Sequence, residues 1–328
     1  MNIGSLLNKL IENDVNGVVF NELIEQGLLN VDDIVDYVCS TDDYRLIYYV
    51  SRYVKNINIS KLEDKVLGMS NTTLIIGYAK DIQSITVSKF EDKFIELGNA
   101  RDISVFALAM SNRGINISRL EDKLIEIGSC SAICDFARGV KGANISRLEN
   151  FVIEKGEASH IYEFALMIKK SNFDRLTEAM IKTNDIYWIS MYAKVTGKIS
   201  VDKMIEAIIN NSVNIDYHKL LFAIDAYDKK YTDVIIMKVI NHFEVDFVYN
   251  VLSRFCFHLS NETIDYLFEL VLSKSLEIED MTFVEMLTEF FVDDKKKMKK
   301  IKDTLQKFYN RGSMEENFKT RKKIFLKK

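Results

Sequence analysis

Residues 116–123 read NISRLEDK, and this phrase, repeated along the first half of the chain, decides the fold. Residues 58–65, 86–93 and 144–151 read NISKLEDK, TVSKFEDK and NISRLENF. Aligned on one apolar anchor, the copies are spaced by 28, 28, 30, 28, 28 and 28 residues, and the two extra residues fall near residues 111–114. A fixed period of this length is the signature of a repeat protein. The anchors are Ile34, Leu62, Phe90, Leu120, Leu148, Leu176 and Met204, with Ile235 and Ile264 as degenerate continuations.

Each copy of the phrase predicts the start of a helix. Ser118 is followed three residues later by Glu121, the spacing of a capping box in which each side chain accepts the backbone N–H of the other residue. Ile117 precedes the serine, where an apolar residue staples the helix entry. Gly128 predicts the helix end, because glycine readily adopts a left-handed backbone. The equivalent serines are Ser60, Ser88 and Ser146, the glutamates Glu63, Glu91 and Glu149, and the glycines Gly68, Gly98 and Gly156.

A second register predicts a second helix in every repeat. Phe136 precedes Ala137, and Ile133 lies three residues before the aromatic residue, so the three form an apolar helical stripe. A small residue at a fixed point lets helices approach closely, while the aromatic fills the gap beside it. The small column is Ser51, Ala79, Ala107, Ala137, Ala165, Ala193 and Ala223; the large column is Val50, Tyr78, Phe106, Phe136, Phe164, Tyr192 and Phe222; the isoleucines are Ile47, Ile75, Ile103, Ile133, Ile161 and Ile189.

The chain is therefore predicted to be all-α, an α-solenoid of right-handed stacked helix pairs. It contains 13 glycines and no proline, which suits helices joined by short connections. The period is too short for tetratricopeptide, HEAT or armadillo repeats, and no leucine-rich-repeat strand motif recurs. We expect capping helices over 1–29, regular repeats over 30–210, degenerate repeats over 211–293 and a basic helix and tail over 294–328.

The repeat resembles that of a loosely defined group of 28-residue helical-repeat proteins from low-GC bacteria, their phages and giant viruses. Residues 142–149, GANISRLE, and residues 161–165, IYEFA, match its recurrent phrase best, and the resemblance covers roughly residues 30–210. It implies the two-helix fold and no common activity. The Lys-, Asn- and Ile-rich composition is typical of an AT-rich genome.

Composition excludes several classes of protein. The chain has 328 residues, 48% of them hydrophobic, which excludes wholesale disorder. No stretch approaches the ~20 apolar residues of a membrane span. The N-terminal segment lacks the charged and apolar regions of a signal peptide, so we expect a cytoplasmic protein. Four cysteines do not make a disulfide framework.

Charge divides the chain into an acidic body and a basic tail. Residues 294–328 hold 14 Lys or Arg and 4 Asp or Glu, a net charge of +10, so the whole-chain charge of −4 leaves −14 for residues 1–293. We favour a tail that is solvated or docked on the body, with Ile301, Leu305 and Phe308 packing as a terminal cap. Phosphate binding, to nucleic acid or a membrane surface, is the alternative.

A search for catalytic residues leads to the prediction that the protein is not an enzyme and takes no cofactor. Phosphate-loop, dinucleotide, zinc-protease and hydrolase motifs do not occur. Cys130 and Cys134 lie one helical turn apart, but no second pair supports a metal site. Cys256 with His258 and His242 also lacks ligand spacing. Trp188 is interpreted as a packed or rim residue, and base stacking in a glycosylase-like groove is the alternative.

One column of the second helix could bind a partner. The residue after each small residue is Arg52, Lys80, Leu108, Arg138, Leu166, Lys194 and Ile224. About one turn later come Lys141 and Lys169, in line with Lys55 and Gln83. If the second helices line the concave surface, Arg52, Lys80, Arg138, Lys141, Lys169 and Lys194 form a broken basic ridge. The competing interpretation is an ordinary solvated helix edge.

Three functional hypotheses follow. The first is a non-enzymatic scaffold that binds a protein or peptide partner along its concave face, because stacked helices make a long surface. The second is nucleic-acid or nucleotide binding through the basic tail and ridge, as in a viral or phage host-interaction factor. The third, and the one we favour least, is a helical-repeat glycosylase. Salt dependence of affinity separates the first two, and alkylated DNA tests the third.

Overall fold

The structure, a computed structural model, describes residues 3–13, 17–212 and 215–311. Within these residues it contains 21 α-helices, three short 3₁₀ helices and no strand. The predicted all-α helical-repeat fold is confirmed. The chain divides into two compact units, residues 1–172 and 173–328.

Unit 1 contains twelve helices in its described part. They are α1 (Ile3–Asn13), α2 (Val18–Glu25), α3 (Val31–Ser40), α4 (Tyr44–Tyr53), α5 (Ile59–Leu67), α6 (Thr72–Asp81), α7 (Val87–Leu97), α8 (Ala100–Met110), α9 (Ile117–Ile127), α10 (Cys130–Gly139), α11 (Ile145–Lys155) and α12 (Ala158–Met167).

Unit 2 contains nine α-helices in its described part. They are α13 (Phe173–Lys182), α14 (Ile186–Thr196), α15 (Val201–Asn210), α16 (Tyr217–Asp225), α17 (Thr232–Val239), α18 (Val245–Phe255), α19 (Asn261–Glu277), α20 (Thr282–Phe290) and α21 (Lys295–Arg311). Short 3₁₀ helices lie at Lys229–Tyr231, Ile240–His242 and Cys256–His258.

In each unit the helices form two layers. Helices α3, α5, α7, α9 and α11, the first helices of the repeats, contact one another in that order, α5 and α7 through the Asp64–Lys89 ion pair. The second helices α4, α6, α8, α10 and α12 do the same. In unit 2, α14, α16, α18 and α20 form one layer, and α15, α17, α19 and α21 the other. Each helix therefore packs against its partner in the repeat and against its counterparts in neighbouring repeats, as in a solenoid.

The predicted columns form the core between the layers. The seven anchors from Ile34 to Met204 are fully buried, as are the large residues from Val50 to Tyr192. Phe94 stacks on Phe106 with ring centroids 4.5 Å apart. At the first small position, Ser51 Oγ lies 2.7 Å from the hydroxyl of Tyr78, which explains a serine among alanines.

Two later column assignments were wrong. Phe222 is 44% exposed, with its ring edge-on to Tyr187 at 5.0 Å, whereas Ile224 is buried. Helix α16 therefore buries a different face from the other second helices. Ile264 is only half-buried, and the neighbouring Leu267 occupies the core instead.

Asparagine caps three of the four first helices at which serine was predicted to do so, namely α5, α9 and α11; the fourth, α7, follows Thr86, whose side chain makes no cap hydrogen bond. Helix α9 begins at Ile117, and Asn116 Oδ1 accepts the N–H of Arg119 at 3.2 Å. Asn144 caps α11 in the same way. The capping-box prediction was wrong because Asn116, itself a strong N-cap, holds the cap position two residues before Ser118. Ile117 is accordingly the first helical residue and does not precede the cap.

All four first helices end at the predicted glycine, but the expected left-handed conformation is present at only two of them. Gly98 and Gly128 take φ of 64° and 82°, the left-handed conformation expected of a C-terminal glycine. Gly68 and Gly156 end their helices with negative φ. At those two positions the left-handed conformation is therefore not the reason for glycine.

Candidate functional site

The buried glutamates of the first helices join successive repeats. Glu121 Oε1 accepts the backbone N–H of Asn144, the cap residue of the next first helix, at 2.6 Å. These carboxylates are buried, and we call them the repeat pins. They hold the following helix start and do not complete a capping box. The other bonds run from Thr86 to Glu63 at 2.5 Å, from Asn116 to Glu91 at 2.5 Å and from Asn172 to Glu149 at 2.7 Å.

An ion-pair ladder covers the exposed side of the first helices. In each step an aspartate of one repeat pairs with a cation of the next, and the cations of the later steps also lie 3.3–3.9 Å from a repeat pin. The four steps are Asp36–Lys61 at 2.9 Å, Asp64–Lys89 at 2.8 Å, Asp92–Arg119 at 2.8 Å and Asp122–Arg147 at 2.6 Å.

Most cations of this layer are committed to such pairs. Seven of the eight lysines and arginines on α5, α7, α9 and α11 have an acidic partner within the described residues. The exception is Lys155, in the last turn of α11. The first-helix face is therefore largely saturated by its own charges.

The second helices carry the predicted ridge, which links neighbouring helices. Leu108 lies directly over Gly139 of the next second helix, where an added Cβ would come within 2.6 Å of Leu108 Cδ1. Arg138 Nη1 in turn lies 3.3 Å from the sulfur of Met167 on α12. From α8 to α12 the residue after each small residue thus contacts the following second helix.

Three of the six predicted basic residues are engaged within the fold. Arg52 packs over the ring of Tyr48 at 5.6 Å, and the Tyr48 hydroxyl donates to Asp81 at 2.9 Å. Arg138 also pairs with Asp135 at 2.6 Å. Lys194, in unit 2, pairs with Asp225 at 2.8 Å. These groups stabilise the surface on which they lie.

The other three predicted residues, Lys80, Lys141 and Lys169, are exposed and have no ion pair within the described part of the chain. Lys141 and Lys169 lie beyond the second helices, because α10 and α12 give way to an extended backbone at the buried residues Val140 and Ile168. The prediction that these two lysines lie one turn further along the second helix was wrong. A lysine beside a helix C-terminus is favoured by the helix dipole.

Apolar side chains interrupt the basic ridge, and sequence reasoning treated them only as gaps. Val105, Leu108 and Leu166 are 45%, 52% and 50% exposed. Val105 lies one turn before Leu108 on the same face of α8. Together with Gly139 and Met167 they form a surface that we call the platform. The signal available in the sequence was leucine at positions where the pattern predicts solvent.

Arg113 explains the single repeat of 30 residues. Its guanidinium reaches back from the connection after α8 and donates to the carbonyl oxygens of Ala79, Lys80 and Gln83, the last two at 3.2 and 2.8 Å. These carbonyls lie at and just beyond the C-terminus of α6, where backbone acceptors lack helical partners. The two extra residues thus place a cation that caps a neighbouring helix, a role that sequence reasoning missed.

The described part of the basic tail packs on unit 2. Ile301 and Leu305 of α21 are buried, as predicted, and Lys297 pairs with Asp265 at 2.6 Å and Asp294 at 3.0 Å. Lys300 pairs with Glu269. A pocket of about 350 Å³ between α19 and α21 is lined partly by these paired lysines. The rest of the predicted basic tail, residues 312–328, lies outside the described residues.

The cysteines and Trp188 are the other residues that the sequence marked as candidates. Burial raises the pKa of all four thiols, and that of Cys134 to about 12, so they are protonated at neutral pH. In the described ranges no group of three or more His, Cys, Asp or Glu is placed to hold a metal ion. Trp188 is half-buried and packs edge-on to Tyr187 at 5.2 Å.

Comparison with protein-family models, curated proteins and solved structures found no match to this chain. Among the described helices, none has the length and apolar character needed to cross a membrane. The candidate site therefore rests on the geometry of this chain alone.

Proposed function

We propose that this protein is a non-enzymatic helical-repeat scaffold that binds a protein or peptide partner along the surface of its second helices. The observation that carries the proposal is the contrast between the two layers of unit 1. The first-helix face uses its charges within the fold, whereas the second-helix face exposes leucines and unpaired lysines.

The composition of the second-helix face favours a protein partner. Single exposed apolar residues are ordinary, but contiguous apolar patches rimmed by polar groups are typical of interaction sites. Arginine and methionine are enriched at such interfaces, and Arg138 and Met167 lie in contact here. Solenoids commonly bind partners along one extended face.

Affinity capture with surface variants tests the proposal. The immobilised chain is incubated with nuclease-treated lysates, and captured proteins are identified by mass spectrometry. We expect a reproducible set of proteins that a Lys80→Glu/Arg138→Glu variant loses and that a Lys155→Glu variant, altered on the first-helix face, retains. Capture that is the same for all three chains would contradict binding along the second helices.

Nucleic-acid binding through the tail and ridge is the competing function, and it predicts a different dependence on salt. Neutralising several phosphates gives a steep fall of affinity with salt concentration. The described lysines Lys297 and Lys300 are already paired with carboxylates, which reduces the free charge of α21. Steeply salt-dependent binding of single- or double-stranded DNA or RNA by the isolated chain would favour this function instead.

A further inference from the structure

The platform has features that identify the chemistry of a partner, and the inference drawn from them rests on the proposed function. We infer that the platform docks an amphipathic segment of a partner protein, apolar where it meets Leu108 and Leu166 and acidic along its edges.

The platform is low in relief because of Gly139. This glycine ends α10 with an ordinary negative φ, so no backbone constraint requires it. Glycine in a helix is destabilising relative to alanine. A Cβ here would displace the tip of the Leu108 side chain, so the glycine leaves room for that leucine to lie over α10 in its present position. The result is an exposed apolar surface continuous from α8 to α10.

The platform continues to α12 through Arg138 and Met167. The guanidinium of Arg138 is held by Asp135 on one side and by the Met167 sulfur on the other. Leu166, the residue before Met167 on α12, is half exposed. A partner side chain would therefore meet leucine, methionine and the arginine stem without a change of helix packing.

The rim of the platform carries three cations that have no ion-pair partner among the described residues. Lys80 lies on α6, the second helix before α8, and Lys141 and Lys169 follow the ends of α10 and α12. Asp81 and Asp135, the exposed acids of α6 and α10, are occupied by Tyr48 and Arg138.

Other charged groups near the platform complete its balance. Arg101 and Asp102 lie in the first turn of α8, Lys170 follows Lys169, Glu157 caps α12, and Glu163 is half-buried on α12. On α6 to α12 and the connections after them, the unpaired exposed cations therefore exceed the unpaired exposed acids. A partner whose carboxylates reach Lys80, Lys141 and Lys169 would meet this charge.

The size of the platform fits a short helix or strand. Neighbouring helices pack about 8–10 Å apart, so three second helices span about 20 Å. A helix of about 13 residues covers that length, and such helices bind through apolar anchors at spacings of three and four residues.

Selection from a peptide library tests the inference. A displayed library of random 16-residue peptides is panned against the full chain, and enriched peptides are synthesised for fluorescence-polarisation binding at 0.15 M salt. We expect enriched sequences that combine Leu, Ile or Phe at helical spacing with Asp or Glu. Leu108→Glu should weaken their binding at least tenfold, and Leu97→Glu should not.

Leu97 is the matched control because it is a leucine of a first helix in the same unit, 44% exposed. Circular dichroism and melting of both variants establish that they are folded. A second variant, Lys80→Glu/Lys141→Glu, should weaken acidic peptides at least fivefold while leaving the leucine contacts intact.

The outcomes separate this inference from the proposed function. Enriched peptides that depend on Leu108 but are neutral or basic would overturn the acidic partner while leaving the scaffold function in place. Enriched peptides whose affinity is unchanged by Leu108→Glu would overturn the platform as the docking site. Failure to enrich any peptide, together with protein capture that is unchanged in the second-helix variants, would overturn both the docking inference and the scaffold function.

Two other occupants of the platform are tested without any peptide, by comparing the wild-type chain with the Leu108→Glu variant. Sedimentation equilibrium that finds a dimer dissolved by Leu108→Glu would assign the platform to a second copy and overturn the inference. Binding to vesicles of anionic phospholipid that Leu108→Glu abolishes would assign it to a membrane surface, with the same consequence.

Discussion

Removal of the repeat pin Glu121 should loosen the junction between two repeats. Glu121→Ala deletes the acceptor for the Asn144 N–H, and a hydrogen bond to a charged group contributes about 1.5–3 kcal/mol. The weaker contact with Arg147, at 3.9 Å, adds at most a few tenths. We therefore expect a loss of about 2–3 kcal/mol in the free energy of unfolding.

The neighbouring aspartate supplies the control. Asp122 also pairs with Arg147, at 2.6 Å, but its side chain is 63% exposed, and exposed pairs contribute about 0–1 kcal/mol. Urea unfolding gives both values. Because repeat arrays open locally, hydrogen exchange is measured as well, and the Asn144 amide should lose protection in Glu121→Ala alone.

The reasoning would be refuted by two results. One is a cost of Glu121→Ala no larger than that of Asp122→Ala; the other is an Asn144 amide equally protected in both variants. The same experiment distinguishes the pin from a capping box. Asn116→Ala should cost about 1 kcal/mol as the loss of an N-cap, whereas Ser118→Ala, at an exposed helical position, should cost less than about 0.5 kcal/mol.

Three further substitutions test other parts of the fold. Arg113→Ala should cost about 1–3 kcal/mol by leaving the carbonyls at the end of α6 without their donor, while Arg101→Ala, exposed on α8, stays within about 0.5 kcal/mol in urea unfolding. Lys297→Ala should cost about 1–2 kcal/mol and the loss should shrink as salt rises, whereas exposed Lys299→Ala should have no measurable effect; equal melting temperatures would contradict the docking of α21. Ala137→Leu should overpack the buried small column and cost about 1–3 kcal/mol, and a wild-type melting curve would show that the column is not a packing point.

The architecture was predictable because the sequence patterns that specify it are local and recur at a fixed period. The anchors and the large and small columns recur at fixed spacing. Residues such as Phe106 and Ala137 are buried because the face of the helix on which they lie meets two neighbouring helices. Such patterns depend only on the geometry of helices. Unit 2, where the repeats degenerate, is also where the column assignment failed at Phe222.

The roles of polar residues were less predictable because they depend on which partner is nearest in space. Glu121 lies three residues after a serine. This spacing fits the capping-box rule, and it is equally compatible with a hydrogen bond to the next repeat. Only the position of Asn144 decides between them. Arg113 was missed for the same reason, since the carbonyls that it caps lie 30 or more residues away in sequence.

The sequence predicted which positions of the candidate site are exposed, but not what they contact. From Arg52 to Lys194 the residue after each small residue is exposed, as the pattern indicates. The pairing of these residues was not predictable, because Asp135, Asp225 and Met167 reach them from other positions. The exposure of Leu108 could have been recognised from the sequence alone, because its position in the repeat faces solvent. Its contact with Gly139 required the spacing between two helices.

The repeat pins also govern how such a chain can change in length. The four repeats of unit 1 from α5 to α12 each receive a backbone donor from the next repeat, so excision of residues 117–144 would join Asn116 to Ile145 and recreate the NISRLE phrase. The carboxylate of Glu91 would then hold the same kind of N–H as before. An excision out of phase with the period would instead join unlike helices. Gene recombination can therefore lengthen or shorten the array in steps of one repeat, and each step adds or removes one second helix from the surface offered to a partner.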